Sequence, residues 1–149
     1  MVPSNAILDR IAVLLADDTT TLAAVLALKV HLAIAPFTPS RDLDVTTLTE
    51  ATFTGYAAIT PTAGNQLEYV DPVTGLRTVE LTPPIGGWHF QTTGTANLPQ
   101  TVYGWYVTNN AGTILYGSGL VETPIPLTIS GQGFDIPNQI FAFLNNSPQ

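Results

Sequence analysis

Leu26, Leu28, Val30, Leu32 and Ile34 fall on alternate positions, with Lys29 and His31 between them. A repeat of two places successive side chains on opposite faces of an extended strand, whereas a helix needs a repeat near 3.6. This stretch is therefore read as a strand with one apolar and one polar face, and its apolar face needs a second layer to cover it. Trp88, His89, Phe90 and Gln91 repeat the pattern, with Trp88 and Phe90 predicted inward and His89 and Gln91 outward.

Turn chemistry separates further strands. Leu67–Val70 and Leu76–Leu81 flank Asp71-Pro72-Val73-Thr74-Gly75, a connection suited to a hairpin. A second hairpin spans Thr101 to Leu120: a run dense in aromatic and β-branched residues, then Asn109-Asn110-Ala111-Gly112, then Thr113-Ile114-Leu115-Tyr116. Asn and Gly tolerate the positive φ of tight turns. Gly104, set between aromatic positions, marks a place where a ring or another chain packs closely on the backbone. Tyr56–Thr60, Ile125–Ile129 and Gln139–Leu144 are also predicted strands. Leu43–Phe53 stays open between a short helix and a meandering connection over the core.

Strands at short intervals, with no alternating βαβ units, predict an all-β chain: an antiparallel β-sandwich or jelly-roll-like body over 25–149. Ahead of it, Ile7, Leu8, Ile11, Leu14 and Leu15 recur at helical spacing after Ser4 or Asn5, which can cap the first turn. This predicts a short N-terminal amphipathic helix, or arm, over 1–24. Three turns of helix are marginal alone in water, so Ile7, Ile11, Leu14 and Leu15 are candidate contacts with the body or a neighbouring subunit. Trp88, Tyr103, Trp105 and Tyr106 join them as candidate interaction residues, because Trp and Tyr are enriched at interfaces; on the strand Tyr103 and Trp105 share one face and Tyr106 the other, so at least one set is core.

Charge narrows the partners. Four Lys+Arg against eleven Asp+Glu give a net charge of -7, and only 10% of residues are charged. Arg10, Lys29, Arg41 and Arg77 are scattered, so no cationic cluster exists to release counterions from DNA or RNA, and no direct nucleic-acid partner is expected. The apolar stretch 7–16 contains Asp9 and Arg10 and lacks a secretory signal's layout; 22–35 is broken by Lys29 and His31 and is short of a membrane span. The chain is expected to be soluble, unprocessed and without a membrane partner.

Catalytic signatures are sparse. With no cysteine, thiolate metal sites and cysteine nucleophiles are excluded. His31 and His89 lie on the polar sides of their strands and are expected to be solvated or at an interface; were those strands neighbours, Glu68 or Glu80 would complete a metal site, but no local spacing demands one. Asp42 and Asp44 lack the spacing of a calcium loop and read as a solvated turn. Gly117-Ser118-Gly119 lacks the strand-to-helix setting of a nucleophile elbow and reads as a loop or bulge, and Gly131-Gln132-Gly133 opens no helix that would cradle phosphate. Neither catalytic residue, metal nor cofactor is expected, and the sequon Asn145-Asn146-Ser147 reads as idle.

Several motifs in order carry a resemblance: the strand Leu28–Ile34, the loop Phe37-Thr38-Pro39, the run Leu48-Thr49-Glu50-Ala51-Thr52-Phe53-Thr54-Gly55-Tyr56 and the strand Thr101-Val102-Tyr103-Gly104-Trp105-Tyr106-Val107-Thr108 before a polar turn. Over roughly 26–120 this succession is similar to a group of small tailed-bacteriophage virion proteins. The resemblance implies a non-enzymatic structural protein of the virion capsid, made in the host cytoplasm. Its role would be that of a decoration or cement protein bridging major capsid proteins and pairing with copies of itself. The alternative, motivated by the supply of Trp and Tyr, is a carbohydrate-binding or receptor-binding β module of a phage tail, which requires Trp88 or Trp105 to be exposed in a groove.

Overall fold

The computed structural model describes residues 2–3, 28–61, 66–70, 77–81, 87–136 and 141–145. Its strands are β1 (Val2–Pro3), β2 (Leu28–Ala33), β3 (Gln66–Val70), β4 (Arg77–Leu81), β5 (Trp88–Gln91), β6 (Gln100–Asn109), β7 (Leu115–Leu127), β8 (Gly133–Ile136) and β9 (Phe141–Asn145). All pairing is antiparallel, in sheets ordered β1-β7-β6-β2, β3-β4-β9 and β5-β8. Helix is confined, among the described residues, to one 3-10 turn at Val45–Thr47, so the described part of the chain is all-β. The expected helix bearing Ile7, Ile11, Leu14 and Leu15 lies outside the described residues.

The period-two reading of β2 holds on its apolar side. Leu28, Val30 and Leu32 are buried together with Val102, Trp105 and Val107 of β6, Tyr116 and Leu127 of β7, and Trp88, Phe90 and Ile136 from the β5-β8 pair. Side chains of the two-stranded sheet thus pack on one face of the four-stranded sheet, and His89 stays exposed, as the alternation in β5 predicts. Removing each large aliphatic side chain from water contributes about 1.5–3 kcal/mol. An aromatic run joins the layers: Phe53 meets Tyr56 edge-on with centroids 5.4 Å apart, Tyr56 stacks on Phe90 at 6.1 Å, and Phe90 on Phe134 at 5.8 Å.

The opposite face of the four-stranded sheet is also buried, which alternation did not foretell. Ala33, Tyr106 and Leu115 form a second cluster there, covered by Phe37, Leu43, Val45 and Leu48 from the segment after β2. A Cβ added to Gly104 would lie 2.8 and 2.9 Å from ring carbons of Phe37, so the missing side chain lets that ring sit on the strand, as its position between aromatics suggests. Asp44 starts the 3-10 turn by accepting from the Thr46 backbone N–H and hydroxyl, both at 2.9 Å.

The same segment closes the outer edge of β2. Val30 exchanges both backbone hydrogen bonds with Ile59, at 2.8 and 2.9 Å, the Ile34 N–H donates to Thr49 O, and Leu32 O accepts from Ala51 N–H. Leu32 N–H donates to the Tyr56 phenol oxygen at 3.3 Å. Tyr56–Thr60, predicted as a strand, is reduced to an isolated bridge at Ile59, because Tyr56 turns its side chain onto the β2 edge instead of extending a ladder. Gln100 fixes the segment from the other side, donating from Nε2 to the Thr52 hydroxyl at 2.8 Å and accepting from Thr52 N–H at 3.2 Å.

The β6-β7 hairpin is longer than predicted, because 125–127, expected in a separate strand, continue β7. Gly112, with φ of +72°, closes its turn by donating to Asn109 O, while the Asn109 side chain accepts from the backbone N–H groups of Thr113 and Ile114. Ser118, expected in a loop or bulge, is a fully buried residue inside β7 opposite Tyr106; Gly119 beside it leaves room for the Trp105 indole, whose Cζ2 would be 2.5 Å from an added Cβ. Farther along, the register steps from Gly104↔Leu120 to Val102↔Ile125. Tyr103 alone thus spans the interval in which β7 places Val121, Glu122, Thr123 and Pro124, a wide bulge that re-aims those side chains. Pro124 and Pro126 each remove an amide donor from this part of β7.

Candidate functional site

His31 is the residue whose placement differs most from expectation. It is 6% exposed, not solvated, because 34–50 cover the face to which it points. Its ring stacks on Tyr106, the cross-strand neighbour, with centroids 4.8 Å apart and planes 9° from parallel. Both ring nitrogens have partners: Nδ1 is 2.7 Å from Glu50 Oε1 and Nε2 is 2.8 Å from Thr108 Oγ1. The same Glu50 oxygen accepts from the Tyr56 hydroxyl at 2.7 Å.

Donor bookkeeping assigns much of this network. An ionised carboxylate only accepts, so with Glu50 in that form Nδ1 carries a hydrogen directed at it. The Tyr56 oxygen accepts from Leu32 N–H and gives its own hydrogen to Glu50. The Thr108 hydroxyl lies 2.9 Å from Asn109 O and 2.8 Å from Nε2; turned toward Nε2, it makes a hydroxyl–imidazole–carboxylate chain. That is the order of groups in a hydrolase triad. Here, however, Thr108 is fully buried inside β6, so a substrate carbonyl has no approach to its oxygen. The arrangement joins β2, β6 and the 50–56 segment into one hydrogen-bonded unit.

Burial, and then the hydrogen bond to Glu50, push the Tyr56 phenol well above its ordinary range; burial and the Glu50 charge do the same for Tyr106. Both rings are therefore held neutral. The carboxyl of Asp44 is held below the usual range by the backbone N–H and then the hydroxyl of Thr46, so this oxygen caps a turn, in keeping with the solvated-turn reading.

His89 sits on a different sheet and remains exposed, paired across the strands with Asp135 at 2.8 Å, Nδ1 to Oδ1. Among the described residues no three His, Cys, Asp or Glu side chains are grouped to hold a metal ion. Of the candidate contact residues, Trp88, Trp105 and Tyr106 are 3%, 2% and 3% exposed, their surface already covered by the chain's own packing, and Tyr103 is half-buried. Neither indole presents a face on which a sugar could stack. Glu50, Tyr56 and Thr108 were not foreseen as partners of His31. The available signal was Ala33, an apolar residue on the nominally polar face of β2, together with Leu43, Val45 and Leu48, which needed something to cover.

No protein-family model, curated protein or solved structure matches the chain. No helix among the described residues is long and apolar enough to cross a membrane.

Proposed function

We propose that this chain is a structural adhesion protein of a tailed-phage virion, a capsid decoration or cement protein whose β-sandwich body bridges major capsid proteins and copies of itself. The observation that carries the reading is the His31–Glu50–Thr108 unit: the constellation best suited to chemistry is tied into internal hydrogen bonds, with Thr108 fully buried and Tyr56 and Tyr106 packed around it. The sandwich reading draws on the packing of β5-β8 against one face of the four-stranded sheet. A net charge of -7 with few charged side chains suits attachment to protein rather than to a packaged genome. Avidity over many copies would multiply the effect of each small contact. The alternative, a sugar-binding tail module, loses its support because both tryptophans are buried.

Electron microscopy of particles produced with this chain is the test. Density for the β body bridging neighbouring shell subunits is the expected result, with weaker attachment when 1–20 are deleted. A chain that stays monomeric in solution and does not co-sediment with shells would overturn the proposal.

A further inference from the structure

The two edges of the four-stranded sheet are treated differently. Outside β2, backbone partners at 49, 51 and 59 and the Tyr56 phenol occupy the edge. Outside β7, β1 pairs only with Gly117 and Ser118, and no further strand among the described residues pairs with that side. An uncovered strand edge is a template for another chain unless something blunts it. Here Pro124 and Pro126 blunt the far part, leaving a short stretch from Gly119 to Thr123.

Beside that stretch the wide bulge opens a groove of about 410 Å³. Trp105, Ile125 and Ile136 form part of its apolar lining, and Leu120, 49% exposed, stands at it. Glu122 is the one charged side chain among the described residues that line it. A strand edge unpaired among the described residues, a partly apolar groove and an exposed carboxylate coincide on one short segment.

We propose that Gly119–Thr123 and this groove form a docking surface for an extended segment of a partner protein that carries an aliphatic anchor beside a Lys or Arg. The segment adds to β7 as a short strand, its anchor enters the groove between Leu120 and Ile125, and its cation faces Glu122. A second copy of this chain fits less well: it brings the same net charge of -7, and among the described residues no cation lines the groove to receive its acids. The proposal deepens the adhesion reading and rests on it, since it names the surface by which such a body would hold its partner.

The test titrates the full chain with two synthetic peptides, acetyl-Thr-Ile-Arg-Ile-Thr-amide and the same peptide with Glu for Arg, followed by NMR. The Arg peptide is expected to shift the Trp105 indole and the 119–123 amides. It should bind more tightly than the Glu peptide and lose its binding when alternate peptide amides are N-methylated. Glu122→Lys, an exposed substitution, should weaken the Arg peptide by about fivefold and improve the Glu peptide. Equal binding of both peptides, binding indifferent to N-methylation, shifts confined to other surfaces, or no shift at about 1 mM peptide would each overturn the docking surface. Particle attachment retained by Glu122→Lys alongside such a result would leave the adhesion role standing without this surface; absence of the chain from particles would remove the role itself.

Discussion

Thr108→Val isolates the buried network from packing, because valine keeps the shape of threonine and removes only the hydroxyl. That hydroxyl makes two contacts, 2.8 Å to His31 Nε2 and 2.9 Å to Asn109 O. Asn109 is half-buried, so water can replace its lost partner. His31 is 6% exposed and its Nε2 cannot be rehydrated without opening the 34–50 cover. Leaving one buried polar group unsatisfied costs about 1–3 kcal/mol, and the middle of that range, about 2 kcal/mol, is the expected loss. For a chain of 149 residues this lowers the melting midpoint by about 6 °C. Equilibrium denaturation in urea, with the slope unchanged, measures it. The cycle with His31→Leu sharpens the result: removing both partners should cost less than the sum of the single losses, with a coupling of about 1 kcal/mol or more. A loss below about 0.5 kcal/mol, ordinary for an exposed position, or strict additivity in the cycle, would refute the account of this unit.

Alkali should act through Tyr56 and Tyr106. Their folded-state pKa values are raised above the ordinary phenol value of about 10, so the stability they contribute is fully present below about pH 10 and is lost as pH rises beyond it. Neither ring should add phenolate absorbance before the chain unfolds, so Tyr56→Phe and Tyr106→Phe should leave the folded-state phenolate titration unchanged; a reduced absorbance rise in the folded state would contradict this. Gly104→Ala should destabilise by about 1–3 kcal/mol in chemical denaturation, the range for overpacking a tight core, as the new methyl meets the Phe37 ring and the Gly119 carbonyl. Phe37→Ala should not restore the loss fully, since the carbonyl is backbone; a neutral Gly104→Ala would show that the ring does not lie on the strand.

How far the fold can be read from the chain depends on the range of the interaction that fixes each part. The strands at 28–33, 88–91 and 100–109 follow from local alternation, and the two hairpins from Pro, Asn and Gly between their arms. Gly104 is legible for the same reason, since a missing side chain amid aromatics signals close approach within a strand's own neighbourhood. His31 was misplaced because its burial depends on residues 3 to 19 positions downstream that fold back with only one 3-10 turn among them. Tyr56 was misread because its β-forming character supports either a strand or a ring used to plug an edge, and only the position of Leu32 N–H decides between them. The bulge in β7 was invisible as well: a register step of several residues leaves no periodic trace when the strands on both sides are dense in small and β-branched residues.

The paired prolines near the end of β7 bear on more than one docking event. A newcomer strand laid along this margin would find an amide hydrogen on every residue as far as Thr123 and would then meet two gaps, at Pro124 and Pro126. Edge-to-edge pairing with a newcomer, the hazard of any unpaired ladder, is therefore held to a short stretch. Many copies held close together would thus carry less risk of edge-to-edge aggregation than the same edge without its prolines.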